Sequence, residues 1–122
     1  MHIIIDTSSI IFGFEYKKNV FDSVKEAFPS YKVLISEGII RELTGIASGK
    51  GRKGGSAKIA LEAIGHAAME TDPSGESVDA WIIAKAKGAP ESIVVTNDTE
   101  LYKKLKSTNI KCLKLTKSGL LK

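Results

Sequence analysis

The sequence is short of the residues that most often staple or ligate. It has one cysteine, Cys112, so no disulfide forms within the chain and no thiolate cluster holds a metal. It has two histidines, His2 and His66, far apart and in no ligand-spaced pair. Any metal is therefore expected to be held by oxygen, which means a hard cation such as Mg²⁺ or Mn²⁺. No stretch nears the roughly 18 apolar residues of a membrane span. The opening MHIIID has no basic segment ahead of its short apolar run, unlike a signal peptide. These absences lead to the expectation of a cytoplasmic protein with no membrane partner. Its 122 residues suit a single domain, 1–122, able to bury a core without staples.

Two stretches lack acid altogether. GKGRKGGSAK (49–58) carries Lys50, Arg52, Lys53 and Lys58, and the last 22 residues carry seven lysines, so these two stretches hold 11 of the 18 basic residues. Such clustering is the footprint expected for a polyanionic partner, although a solvated lysine-rich surface has the same composition.

Apolar runs and periodicity outline the elements. HIII (2–5), KVLI (32–35) and SIVV (92–95) read as buried strands, and IKCLKL (110–115) as a last, alternating one. Residues 17–28 place Val20, Phe21, Val24 and Phe28 on one helical face, and Pro29 ends that helix. Ser36 is expected to cap a helix with Ile39, Ile40, Leu43 and Ile46 as its stripe. The basic stretch reads as a loop, followed by a helix over about 56–68 with Ile59, Ala60, Ala63, Ile64 and Ala67 inward. TDPSGES (71–77) reads as a turn. Ser77 then caps a helix ending at Gly88, and another helix runs over about 98–107. The tail TKSGLLK is expected to be loose. Strands alternating with helices predict an α/β fold with a parallel sheet covered on both faces, whose ligands bind at the carboxyl ends of the strands.

Four acids fall at element boundaries in that frame. Asp6 ends the first strand, Glu42 sits on the helix after the second, Asp79 opens an apolar helix, and Asp98 follows the third strand in IVVTNDTEL (93–101). Each alone has a structural reading, as a helix cap or a favourable charge at a helix start. Brought to one end of the sheet, they would repel, and a divalent cation would relieve them. Such a cation lowers the pKa of bound water, and basic surface beside it suggests a phosphodiester substrate.

Four segments together resemble the PIN domain family of nucleases. IIIDTSSI (3–10) resembles the opening "DT" strand, SEGIIREL (36–43) the segment ending in the second acid, VDAWIIAKA (78–86) the "DAxIxxxA" helix, and VVTNDTEL (94–101) the "TxDxxL" motif. The resemblance implies a three-layer α/β/α fold with a central, mainly parallel twisted sheet of 4–5 strands. It implies that Asp6, Glu42, Asp79 and Asp98 hold one or two Mg²⁺ or Mn²⁺ ions. Thr96 joins them as a catalytic hydroxyl, with Asn97 ranked behind it. RNA would be hydrolysed by metal-activated water, leaving a 3′-hydroxyl and a 5′-phosphate. Lys50, Arg52 and Lys53, with Thr7 and Ser8 after the first acid, are assigned to substrate binding; Ser8 stands where the family often has Asn. GKGRKGGSAKIALEAI and the closing IKCLKLTKSGLLK further resemble archaeal relatives of the nucleases that process small-subunit ribosomal RNA, which suggests pre-rRNA as the partner. VapC-type toxins share the length and the acids, and that branch would bring an antitoxin partner. The family also suggests a homodimer. A non-catalytic RNA-binding or ribosome-assembly module with the same fold is the other reading. A receiver-type phosphoacceptor fits poorly, because no acid pairs with Asp6 at the end of the first strand.

Overall fold

A computed structural model describes residues 1–67, 69–74 and 76–122. The chain runs β1 (His2–Ile5), α1 (Thr7–Glu15), α2 (Val20–Ala27), β2 (Lys32–Ser36), α3 (Glu37–Ala47), α4 (Arg52–His66), β3 (Glu70–Asp72), α5 (Val78–Gly88), β4 (Ile93–Val95), α6 (Thr99–Ser107) and β5 (Lys111–Leu113). The five strands form one sheet in the order β3-β2-β1-β4-β5, every pair parallel. The register sets Ile3 beside Val33 and Ile93, and Ile5 beside Val95. Ile3, Ile4, Ile5, Val94 and Val95 are buried, as expected of central parallel strands covered on both faces.

The chain moves outward from β1 to β2 and β3, then crosses back to β4 on the other side of β1. The β1–β4 seam is therefore the switch point, where parallel sheets open a crevice beyond their carboxyl ends. The Asp6 N–H extends that seam by donating to the Val95 carbonyl at 2.9 Å.

Several expectations hold with shifted edges. The helix expected over 17–28 is α2, Val20–Ala27, which starts later because Asn19 caps it through bonds from the N–H groups of Phe21 and Asp22. Ser36 caps α3, and Ser77 caps α5. Others are corrected. Thr7–Glu15, a stretch without a helical period, is α1; it packs against α2, α3 and α4 and buries Ile10 and Ile11. Most of the basic stretch is helix as well, because α4 begins at Arg52. Gly54 permits this: a Cβ there would stand 2.3 Å from the Gly49 carbonyl oxygen. Ile59, expected inward, is 53% exposed, since the inner side of α4 is taken by Ala57 and Ala60. Residues 70–72, which run into the expected turn 71–77, pair with β2 as an edge strand. Positions 68 and 75, in the expected helix and turn, lie outside the described residues.

The tail is ordered rather than loose. Leu115 bridges Leu121 antiparallel, the Lys122 N–H donates to the Lys114 carbonyl, and the Thr116 N–H donates to the Leu120 carbonyl. Leu115 is 2% exposed, and its Cδ2 would stand 3.0 Å from a Cβ at Gly13. Burial of that leucine fixes a turn that its polar neighbours alone would leave free.

Candidate active site

Asp6 lies at the switch point, its residue 5% exposed. Although it is the residue before α1, its side chain does not cap that helix. Its Oδ2 instead accepts from Ser8 Oγ at 2.6 Å and from Thr96 Oγ1 at 2.8 Å. The two hydroxyls are 3.2 Å apart, each with its single hydrogen committed to the carboxylate. Each in turn accepts a backbone N–H, Ser8 from Asn97 and Thr96 from Asp98. The chain after β1 and the chain after β4 are thus tied together around one carboxylate oxygen. The other, Oδ1, receives no hydrogen bond from a described residue. No buried side-chain polar atom among the described residues is without a partner, so Oδ1 reaches the surface.

Burial holds the Asp6 carboxyl above the usual carboxylate range. The two hydroxyl bonds pull it down, and the charges of Asp79 and then Glu42 push it up again. Those two acids therefore share the electrostatic space of Asp6. Glu42 is exposed on α3, with Oε1 held by the Thr7 hydroxyl at 2.6 Å. Asp79 is exposed in the first turn of α5.

Asp98 is exposed and caps α6, its Oδ1 accepting from the Leu101 N–H at 3.0 Å. It is not among the charges that raise Asp6. The structural reading of this acid is thus realised, and one of its carboxylate oxygens carries no bond from a described residue.

Asp6, Ser8 and Thr96 are in direct contact, as are Thr7 and Glu42. Lys50, Arg52 and Lys53 stand apart, exposed before and within the first turn of α4. The Arg52 guanidinium donates to the Glu15 carbonyl at 2.8 Å and lies 5.6 Å from the Tyr16 ring centroid. Asn97 matters more than its ranking in sequence suggested. Its amide accepts from Ser9 Oγ and the Leu115 N–H and donates to the Leu115 carbonyl, clamping α1 and the final turn to the site. Its position beside Thr96 was the signal available. Trp81 is buried, and its indole donates to Asp72 Oδ2 at 2.8 Å, so the ring packs rather than projecting.

A family model for PIN-like domains matches residues 3–118. The chain belongs to the PIN-like domain family. The search of curated proteins finds no match. Among solved structures, this PIN-like domain is similar to the PIN domain endonuclease Utp24, with TM-score 0.80 and 22% identity, covering 99% of this chain and 90% of that one. It is also similar to a domain of a functionally unknown protein from Methanocaldococcus jannaschii DSM 2661, with TM-score 0.68 and 20% identity, covering 94% and 91%. At these identities the likeness concerns the fold, and the five-stranded α/β architecture is that of a PIN domain.

The donor set of this PIN-like domain is oxygen throughout, which suits a hard divalent cation. Among the described residues, however, no three His, Cys, Asp or Glu side chains form a group able to hold an ion. The charges of Asp79 and Glu42 act on Asp6, while that of Asp98 is not among them.

Proposed function

We propose that the chain is a metal-dependent endoribonuclease acting in ribosomal RNA processing. The observation that carries the reading is Asp6. It is a buried carboxylate at the switch point, with one oxygen fixed by two hydroxyls and the other free of hydrogen bonds from described residues, under the charges of Asp79 and Glu42. Such an arrangement is costly for an isolated carboxylate and suits one that meets a cation.

Asp6, Glu42, Asp79 and Asp98 would hold Mg²⁺ or Mn²⁺. A bound ion of this class lowers the pKa of coordinated water and offsets charge on a phosphodiester under attack. Ser8 and Thr96 orient Asp6, and Thr7 orients Glu42, so the hydroxyls after the first acid act on the carboxylates as much as on substrate. Lys50, Arg52 and Lys53 would hold the RNA backbone without reading sequence. The processing role rests on the resemblance of the basic stretch and the closing segment to archaeal processing nucleases. The fold likeness to a PIN domain endonuclease accords with it.

A second reading, a non-catalytic RNA-binding module, is favoured by the open acid set and by the cap formed by Asp98. Labelled RNA incubated with Mn²⁺, Mg²⁺ or EDTA separates the two, with Asp79→Asn and Asp98→Asn alongside. Asn at 98 can still cap α6, so that variant tests charge rather than shape. Metal-dependent cutting lost in both variants supports the nuclease. RNA bound but uncut with either metal supports the module.

A further inference from the structure

The ordered tail does something the acid site does not require: it sets lysines over aromatic rings. Lys117 Nζ lies 5.3 Å from the Tyr16 ring centroid, whose other cation is Arg52 at 5.6 Å. Lys114 Nζ lies 4.6 Å from the Tyr102 centroid, whose other cation is Lys106 at 5.5 Å. One short turn, pinned to Asn97 through Leu115, thus serves two rings.

Both rings stand on helices that leave the site. Tyr102 lies one turn into α6, its N–H donating to the Asp98 carbonyl, and Tyr16 is the residue after α1, which starts beside Asp6. Along the helix axes they are about 6 Å and about 13 Å from those starting points.

None of the four cations forms a salt bridge among the described residues. Tyr16 is 36% exposed, and its ring is braced by Phe12, with centroids 4.8 Å apart. A cation over an exposed ring is held more weakly than a stacked base, so an arriving base displaces the lysine, whose charge remains beside the phosphate. The Arg52 guanidinium stays in place through its bond to the Glu15 carbonyl.

We propose that Tyr16 and Tyr102, with the cations Arg52, Lys106, Lys114 and Lys117, form two holding points for single-stranded RNA beside the ordered tail. Bases stack on the rings and the cations take the adjoining phosphates. This rests on the nuclease reading for its purpose, and its test does not use catalysis.

The test is anisotropy of a labelled 12-nucleotide single-stranded RNA of mixed sequence, titrated with the full chain in EDTA over a salt series. Tyr16→Leu, Tyr16→Phe, Lys114→Gln and Lys117→Gln are compared, and thermal melts confirm that each folds. Tyr16→Leu is expected to weaken binding about tenfold at unchanged salt slope, while Tyr16→Phe stays near wild type. Each lysine variant is expected to reduce the slope of log K against log salt by about 0.7.

Wild-type affinity in all folded variants overturns the proposal, even if the wild type cuts RNA with Mn²⁺ and the nuclease reading stands. So does a wild type that binds no RNA. RNA bound with the expected losses but never cut leaves this proposal standing and removes the nuclease.

Discussion

Replacing Asp6 by Asn separates the charge of the site from its shape. Asn is nearly isosteric, and its amide oxygen can accept the same two bonds, now made by Ser8 at 2.6 Å and Thr96 at 2.8 Å. What is lost is a carboxylate only 5% exposed that shares its surroundings with Asp79 and Glu42. Burial and repulsion both disfavour the ionised form. In metal-free buffer near neutrality, Asp6→Asn is therefore expected to stabilise the fold by about 1 kcal/mol, the size of an ordinary favourable substitution. For a chain of this length that is roughly 4 °C in Tm. The folded pKa of Asp6 lies above its unfolded value, so the penalty is present above the folded pKa and disappears as pH falls through it. The advantage of Asn should accordingly shrink in acid. Calorimetry in EDTA, near neutrality and in mild acid, reads both. With Mn²⁺ the order should reverse: wild type gains about 2.7 kcal/mol once the free ion reaches about a hundred times its Kd, and the variant gains little. A variant less stable than wild type in EDTA near neutrality would refute the reasoning, because Asp6 would then be worth more to the fold than its charge costs.

Other perturbations test the scaffold. Gly13→Ala puts a Cβ 2.6 Å from the Lys18 carbonyl oxygen, and a loss of about 1–3 kcal/mol in urea unfolding is expected. Asn97→Ala removes the clamp on Leu115 and should make the 114–122 amides exchange faster than those of β4, read by hydrogen exchange. The Trp81 indole, and after it Lys85, hold the Asp72 carboxyl below the usual range, so its contribution is present above the unfolded pKa and lost as pH falls through the folded one. Acid unfolding should therefore depend less steeply on pH in Asp72→Asn than in wild type.

What could be read in the sequence followed from local rules. Apolar β-branched runs marked β1, β2 and β4, because central parallel strands are buried on both faces and need no alternation. Ser36, Ser77 and Asp98 marked the starts of α3, α5 and α6, because a short oxygen-bearing side chain there meets free N–H groups. Helix α1 was hidden because TSSIIFGFE combines weak helix formers with apolar residues on several sides. Its helicity comes from packing against three other helices. Strand β3, reading ETD, has no apolar pattern at all, and only its backbone pairing with Leu34–Ser36 makes it a strand.

The sequence by itself determined that this is an α/β chain with acids at its element boundaries and two acid-free basic stretches. The tertiary structure alone decided which side chains meet. Thr96 meets Ser8, 88 residues away, and Asp6, 90 residues away, because β4 returns to lie beside β1, and no local pattern encodes that order. The same holds for the tail, whose lysines are placed over rings from α1 and α6 by the burial of Leu115. Burial acts on the whole chain at once, so it fixes contacts that the spacing of residues leaves open.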